Sequence, residues 1–372
     1  MNRARHTRKY VAMAVAMLVW AGAPAEESRA DFLLWEDQQL TLYDSHLSGT
    51  LYDRSGVEIM TGGDVRILRA YHQSSVHLDV GSVGYLYAYD TSAVRITTGS
   101  LRWLYAHDGS TVHINSGSSG GVDAYGSSAV RIAGGTHSSV FAHESSSLEI
   151  SGGDFTEYKY VSAYDSATLN VSGGTFPWVL YGHGSSIVNI TGGGFRFVKA
   201  NDSSVVSISN GTIASLRAYG TSTVRLIARK FRLGDGLWID GARLYGGGLL
   251  SGEWSGGERW SVDIQIDNPG PTVLAMLIGD VDLSGYVDDD DLSLVLANWG
   301  TETEWTDGDL DSSGLVDDDD LSLLLANWGA GPAPAPEAIP EPATLSLLAI
   351  GGLALLRRKG FAGQAVLRRR SR

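Results

Sequence analysis

From Val57 to Leu226 apolar and polar residues alternate in short bursts, as in Val94-x-Ile96 and Val112-x-Ile114, and the bursts recur. One aliphatic column runs Ile59, Leu78, Ile96, Ile114, Ile132, Ile150, Val171, Ile190, Ile208 and Leu226, each with another apolar residue two positions earlier. A second runs Leu68, Leu86, Leu104, Val122, Val140, Val161, Leu180, Val198 and Leu216. Two residues further on stands a small residue, from Ala70 to Ala218, recurring at steps of 18 to 21 residues. Period-two alternation is strand chemistry. The corners are rich in Ser, Asp and Gly, which suit turns that need side-chain hydrogen bonds or positive φ. One such unit cannot bury its apolar edge, whereas stacked units share a continuous core. The predicted fold is therefore mainly β, a parallel β-helix solenoid with two strands per repeat. The uneven spacing between columns, Ile96 to Leu104 and then Val112, departs from the six-residue period of a left-handed β-helix and favours the right-handed form. Residues 31–275 make up this domain, with 31–56 and 227–275 as its caps.

Two outward columns carry candidate chemistry. The residue after each small position is Tyr71, Tyr89, His107, Tyr125, His143, Tyr164, His183, Asn201 or Tyr219, which reads as a side-chain ladder and alternatively as a platform for sugars. The residue between the paired aliphatics includes His77, Arg95, His113, Arg131 and Glu149. A catalytic solenoid needs acid and base groups converging off the repeat, and these obey it, so no catalytic residue is assigned.

Beyond residue 276 the pattern changes. "GDVDLSGYVDDDDLSLVLANWG" returns 29 residues later as "GDLDSSGLVDDDDLSLLLANWG". A 12-residue calcium loop takes oxygen ligands at positions 1, 3, 5, 7 (carbonyl), 9 and 12, with glycine at 6. The first copy supplies Asp280, Asp282, Ser284, Tyr286, Asp288 and Asp291 around Gly285. The second supplies Asp309, Asp311, Ser313, Leu315, Asp317 and Asp320 around Gly314. A helix follows each, with Leu292, Val295, Leu296 and Trp299, then Leu321, Leu324, Leu325 and Trp328, as the apolar stripe. Both tryptophans are expected in a shared core, and Gly300 and Gly329 are expected to stop the helices.

This duplicated half of a helix-loop-helix hand, closed by Asp at position 12, resembles a type I dockerin over residues 279–329. The resemblance implies a small all-α module holding two calcium ions (Ca2+) and docking onto a cohesin-like partner. It further implies that loop positions 10 and 11 help to recognise that partner. Here they are Asp289, Asp290, Asp318 and Asp319, where cellulosomal dockerins carry small polar residues.

The ends are read differently. Arg3, Arg5, Arg8 and Lys9 precede the apolar Val11 to Ala21 and then small residues, the pattern of a secretory signal over residues 1–30. The stretch Ala343 to Leu356 is too short for a comfortable span and is closed by Arg357, Arg358 and Lys359. With Pro340-Glu341-Pro342 before it, residues 340–372 resemble a PEP-CTERM sorting tail. That resemblance implies processing by exosortase-type machinery and transient membrane association through the tail. Residues 330–339 form a Pro/Ala linker, expected to be extended.

Charge sharpens the picture. The chain carries a formal −14, but residues 31–341 hold 40 of the 42 acidic and only 16 of the 28 basic residues, a net of −24. Such a body excludes nucleic acid as a partner and suits divalent cations. Cysteine is absent, so no disulfide or thiolate metal site exists. Together these features predict an exported structural or adhesive protein of the cell envelope surface or extracellular matrix, associated with polysaccharide. The alternative is a polysaccharide lyase or glycoside hydrolase built on the same scaffold.

Overall fold

The computed structural model describes residues 30–331 apart from 157–158, 268–269, 303–304 and 312. All of the expected signal segment 1–30 but its last residue, the linker from 332 and the sorting tail lie outside the described residues. The repeat region is a β-solenoid of about 11 turns, whose coils pair in parallel, with register shifts in a few places such as Phe176/Val179. Val94, Val112 and Val130 align, as do Ile96, Ile114 and Ile132.

Each regular coil combines a long strand such as Asp64–Ala70 with a short one such as Ser75–Leu78. In the long strand the buried positions are Val65, Leu68 and Ala70, so the inward phase changes between Val65 and Leu68. A strand can do that only by bending. The coil therefore has three inward-facing stretches, and simple alternation reveals two of them. The third column runs Val65, Val83, Leu101, Ser119, His137, Phe155, Phe176, Phe195 and Ile213, all buried. Its phenylalanines stack at 4.4 and 4.6 Å. A further inward column consists of serine: Ser74, Ser92, Ser110, Ser128 and Ser146 are fully buried at equivalent corners.

Turn chemistry locks the coils at one corner. Asp53, Asp90, Asp108, Glu144, Asp165 and Asp202 adopt φ between 55° and 60°, the left-handed region that Asp tolerates better than most residues. Several of these carboxylates accept the backbone N–H of the preceding coil's corner, as His72 N–H to Asp90 Oδ2 (2.8 Å) and Glu144 N–H to Asp165 Oδ2 (3.0 Å). Beside this corner the predicted ring ladder is continuous from Trp35 through Tyr52, Tyr71, Tyr89, His107, Tyr125, His143 and Tyr164 to His183. Ring centroids lie 4.6–5.3 Å apart. Face-to-face stacking along the solenoid leaves ring edges outward, so the faces a sugar would stack on are covered by the neighbouring rings.

At the C-terminal end the chain leaves the coil through antiparallel strands Lys230–Leu233, Leu237–Asp240 and Arg243–Glu253. It then returns with Arg259–Ile266 and Thr272–Leu277, both of which pair in parallel with the last regular coil. Trp254 and Trp260 stack at 4.4 Å and are buried, closing the core. Strand Thr272–Leu277 runs directly into the first acidic loop.

Candidate metal centre

Two nine-residue helices, α1 (Asp289–Ala297) and α2 (Asp318–Ala326), follow the loops. They begin three residues earlier than the apolar stripe indicates. Asp288 and Asp317 are the N-caps, and the next three aspartates of each tetrad form the first helical turn. This is where carboxylates are favoured, because four backbone N–H groups lack partners there and the helix dipole is positive. Much of the charge that looks prohibitive in sequence is thereby accommodated.

The expected burial of the tryptophans is corrected. Trp299 and Trp328 are 45% and 44% exposed, and Leu296 and Leu325 are exposed with them. A helix this short buries one apolar residue fully, Val295 in α1 and Leu324 in α2, against Leu277, Val281, Val287, Leu310 and Val316. The helices end at Asn298 and Asn327. Gly300 and Gly329, with φ of 77° and 74°, turn the chain just beyond.

The halves complete one another. Val287 of the first loop donates to Ala330 O (2.9 Å) and accepts from Gly329 N–H (2.9 Å), both beyond α2. Val316 of the second loop donates to Thr301 O (3.1 Å) and accepts from Gly300 N–H (2.8 Å), both beyond α1.

Inside this frame the carboxylates converge twice. Oxygen atoms of Asp280, Asp282 and Asp291 lie within 4.8 Å of one another, and so do those of Asp309, Asp311 and Asp320. Asp291 is fully buried and accepts N–H groups from Val281 (2.6 Å), Asp282 (3.2 Å) and Asp288 (2.8 Å). Asp320 repeats this with Leu310 (2.7 Å), Asp311 (3.2 Å) and Asp317 (2.9 Å). Position 12 thus folds the loop back onto itself while holding an oxygen at the cluster. Asp280 is fully buried. Its Oδ2 accepts Gly285 N–H at 2.9 Å, but Oδ1 has no partner. Burial pushes its carboxyl up to about 7, and burial also raises Asp291 and Asp309. A buried carboxylate oxygen without a donor is costly, and an all-oxygen set of this kind fits a hard cation such as calcium.

The remaining loop residues serve the turn. Ser284 and Ser313 hydroxyls donate to the carbonyls of Tyr286 (3.4 Å) and Leu315 (3.1 Å). Asp288 and Asp317 accept helix N–H groups from Asp290 and Asp319 at 3.0 Å, which commits one oxygen of each to capping. Asp289, Asp290, Asp318 and Asp319 are exposed on the outer face. Sequence reading missed Trp305, whose indole N–H donates to Asp280 O at 3.1 Å. Its place between the two repeats gave no periodic signal.

Fold and site together define a β-solenoid carrying two carboxylate clusters suited to a divalent cation. The particular affiliation comes from the tail: a family model described as the PEP-CTERM protein-sorting motif matches residues 338–359, which include Pro340, Glu341 and Pro342. That motif marks an exported, surface-associated protein handed to exosortase-type machinery. No curated protein and no solved structure matches the chain. Among the described residues no helix is long and apolar enough to cross a membrane.

Proposed function

We propose that this is a structural or adhesive protein of the bacterial cell surface or its exopolysaccharide matrix. The solenoid winds right-handed as a spacer, and a dockerin-like module binds two Ca2+ ions and docks a cohesin-like protein partner. The observation that carries this reading is the repeated convergence of three aspartates, with Asp280 Oδ1 left without a donor. Asp280, Asp282 and Asp291 hold one ion and Asp309, Asp311 and Asp320 the other. The carbonyls of Tyr286 and Leu315, the Ser284 and Ser313 hydroxyls, and Asp288 and Asp317 through water complete the shells. Bound calcium neutralises charge in a segment, 279–329, that holds 15 acidic residues and no lysine, arginine or histidine. Its binding energy is thereby coupled to folding. Asp289, Asp290, Asp318 and Asp319 form the acidic surface that the partner reads. The enzymatic alternative gains little from Arg131 and Glu149, which bind each other through two contacts, at 2.8 and 3.2 Å.

Calorimetric titration of the full chain with calcium tests the module. Two ions are expected, both lost in Asp291→Ala/Asp320→Ala. Replacing Asp289, Asp290, Asp318 and Asp319 by Ser is expected to spare calcium binding while weakening partner capture. Equal dependence of calcium on those four would overturn the assignment. Mass spectrometry of the protein exposed at the cell surface is expected to find residues 343–372 removed; the intact tail there would overturn processing.

A further inference from the structure

The outward face of the short strands is concave. Two open troughs of about 550 and 610 Å3 lie end to end on it, both lined by His113. From His77 to Asn189 they span six coil steps of about 4.8 Å. The length suits an extended polymer, and the lining contains no aromatic ring other than histidine.

The charges of this trough balance in number, Arg95 and Arg131 against Asp79 and Glu149, but they are unevenly paired. His77, Arg95, His113 and Arg131 occupy one column on four successive coils, aligned in strand register. His77 faces Glu58 at 3.3 Å and Arg131 is held by Glu149. Arg95 is exposed midway between His77 and His113, and no acidic group pairs with it among the described residues. Asp79 and Glu58 lie one and two coils to its N-terminal side and bound the column there. Further along, Asn170 and Asn189 bond each other at 2.9 Å and keep the remaining amide donors and acceptors for a ligand.

An unpaired guanidinium fits a carboxylate through two parallel hydrogen bonds. The amides and hydroxyls around it fit sugar hydroxyls. We propose that this trough binds an extended acidic polysaccharide of the uronic-acid type, with Arg95 taking one of its carboxylates. The inference deepens the exopolysaccharide association proposed above and rests on it.

The test is affinity electrophoresis of the full chain in gels containing polygalacturonate, with dextran as the neutral control. Retardation by polygalacturonate alone is expected, decreasing as salt is raised. Arg95→Ala should weaken it about tenfold or more, the loss of a charge-assisted hydrogen bond; Arg95→Lys should restore part, and Arg232→Ala, on the cap, should leave it unchanged. Asp291→Ala/Asp320→Ala should also leave it unchanged, so failure of the calcium module is read separately. Loss of the protein from the cell's exopolysaccharide with intact binding of purified chain would sink the matrix role and keep the trough. Equal retardation by dextran, no retardation, or retardation indifferent to Arg95 would overturn the inference.

Discussion

At the scale of single residues, the most informative departures from the repeat are polar groups placed inward. His137 sits in the third column, fully buried, with Nδ1 2.7 Å from the Ser119 hydroxyl and Nε2 2.9 Å from Gly134 O. The carbonyl can only accept, so Nε2 carries the proton and Nδ1 accepts from Ser119. Burial lowers the imidazole below its ordinary value. The unfolded chain therefore takes up a proton near pH 6.5 that the folded chain resists, and stability falls as pH drops through that value. Urea denaturation at pH 7.5 and 5.5 should show this acid-side loss in the natural chain and a smaller one in His137→Leu. The substitution itself should cost about 1–3 kcal/mol, because Ser119 and Gly134 lose a buried partner. Asp90 makes a second case. At φ 56° it is conformationally strained, yet it accepts His72 N–H. Asp90→Ala loses the hydrogen bond and keeps the strain, so it should destabilise by about 1–2 kcal/mol, and Asp90→Gly should be milder. Neither role was legible beforehand, since both depend on which coil lies alongside.

At the scale of elements, two of the three inward-facing stretches were readable because Val94-x-Ile96 and its equivalents keep strict alternation. The third was hidden by the bend between Val65 and Leu68, which shifts the phase by one residue. In the acidic module the convergence of Asp280, Asp282 and Asp291, and of Asp309, Asp311 and Asp320, was legible from their spacing, whereas the helix starts were not. Aspartate is a weak helix former in general but a strong N-cap and first-turn residue. Asp288→Ala or Asp317→Ala should each cost about 1 kcal/mol, seen as reduced helical circular dichroism on heating. The exposed tryptophans change what fluorescence should report. Trp305→Phe is expected to remove most of any calcium-dependent emission shift, because Trp305 alone of the module's three indoles bonds a loop carbonyl. Trp299→Phe and Trp328→Phe should leave it largely intact; the opposite pattern would restore the buried-tryptophan arrangement.

At the scale of the described molecule, solenoid and module share material. Phe231 of the cap packs against both cores, Leu277 ends the last coil strand while lining the module, and Ala242 N–H donates to Leu283 O at 3.1 Å. In stacked coils each turn feels chiefly its neighbours. Calcium bound at 279–329 should therefore slow amide hydrogen exchange in Thr272–Leu277 and in its partner Thr223–Ala228. It should leave coils around Ile96 unchanged. Uniform protection along the solenoid, or none in Thr272–Leu277, would contradict this coupling.

The crossing of Val287 and Val316 onto the segments beyond the opposite helices has a further consequence. Each half presents the same donor and acceptor, and the same apolar side chain, to the other. That is the arrangement of an isologous dimer interface, joined covalently by residues 302–308. One half alone carries a surface complementary to a copy of itself. The module thus has the form of a two-fold dimer contained within one chain.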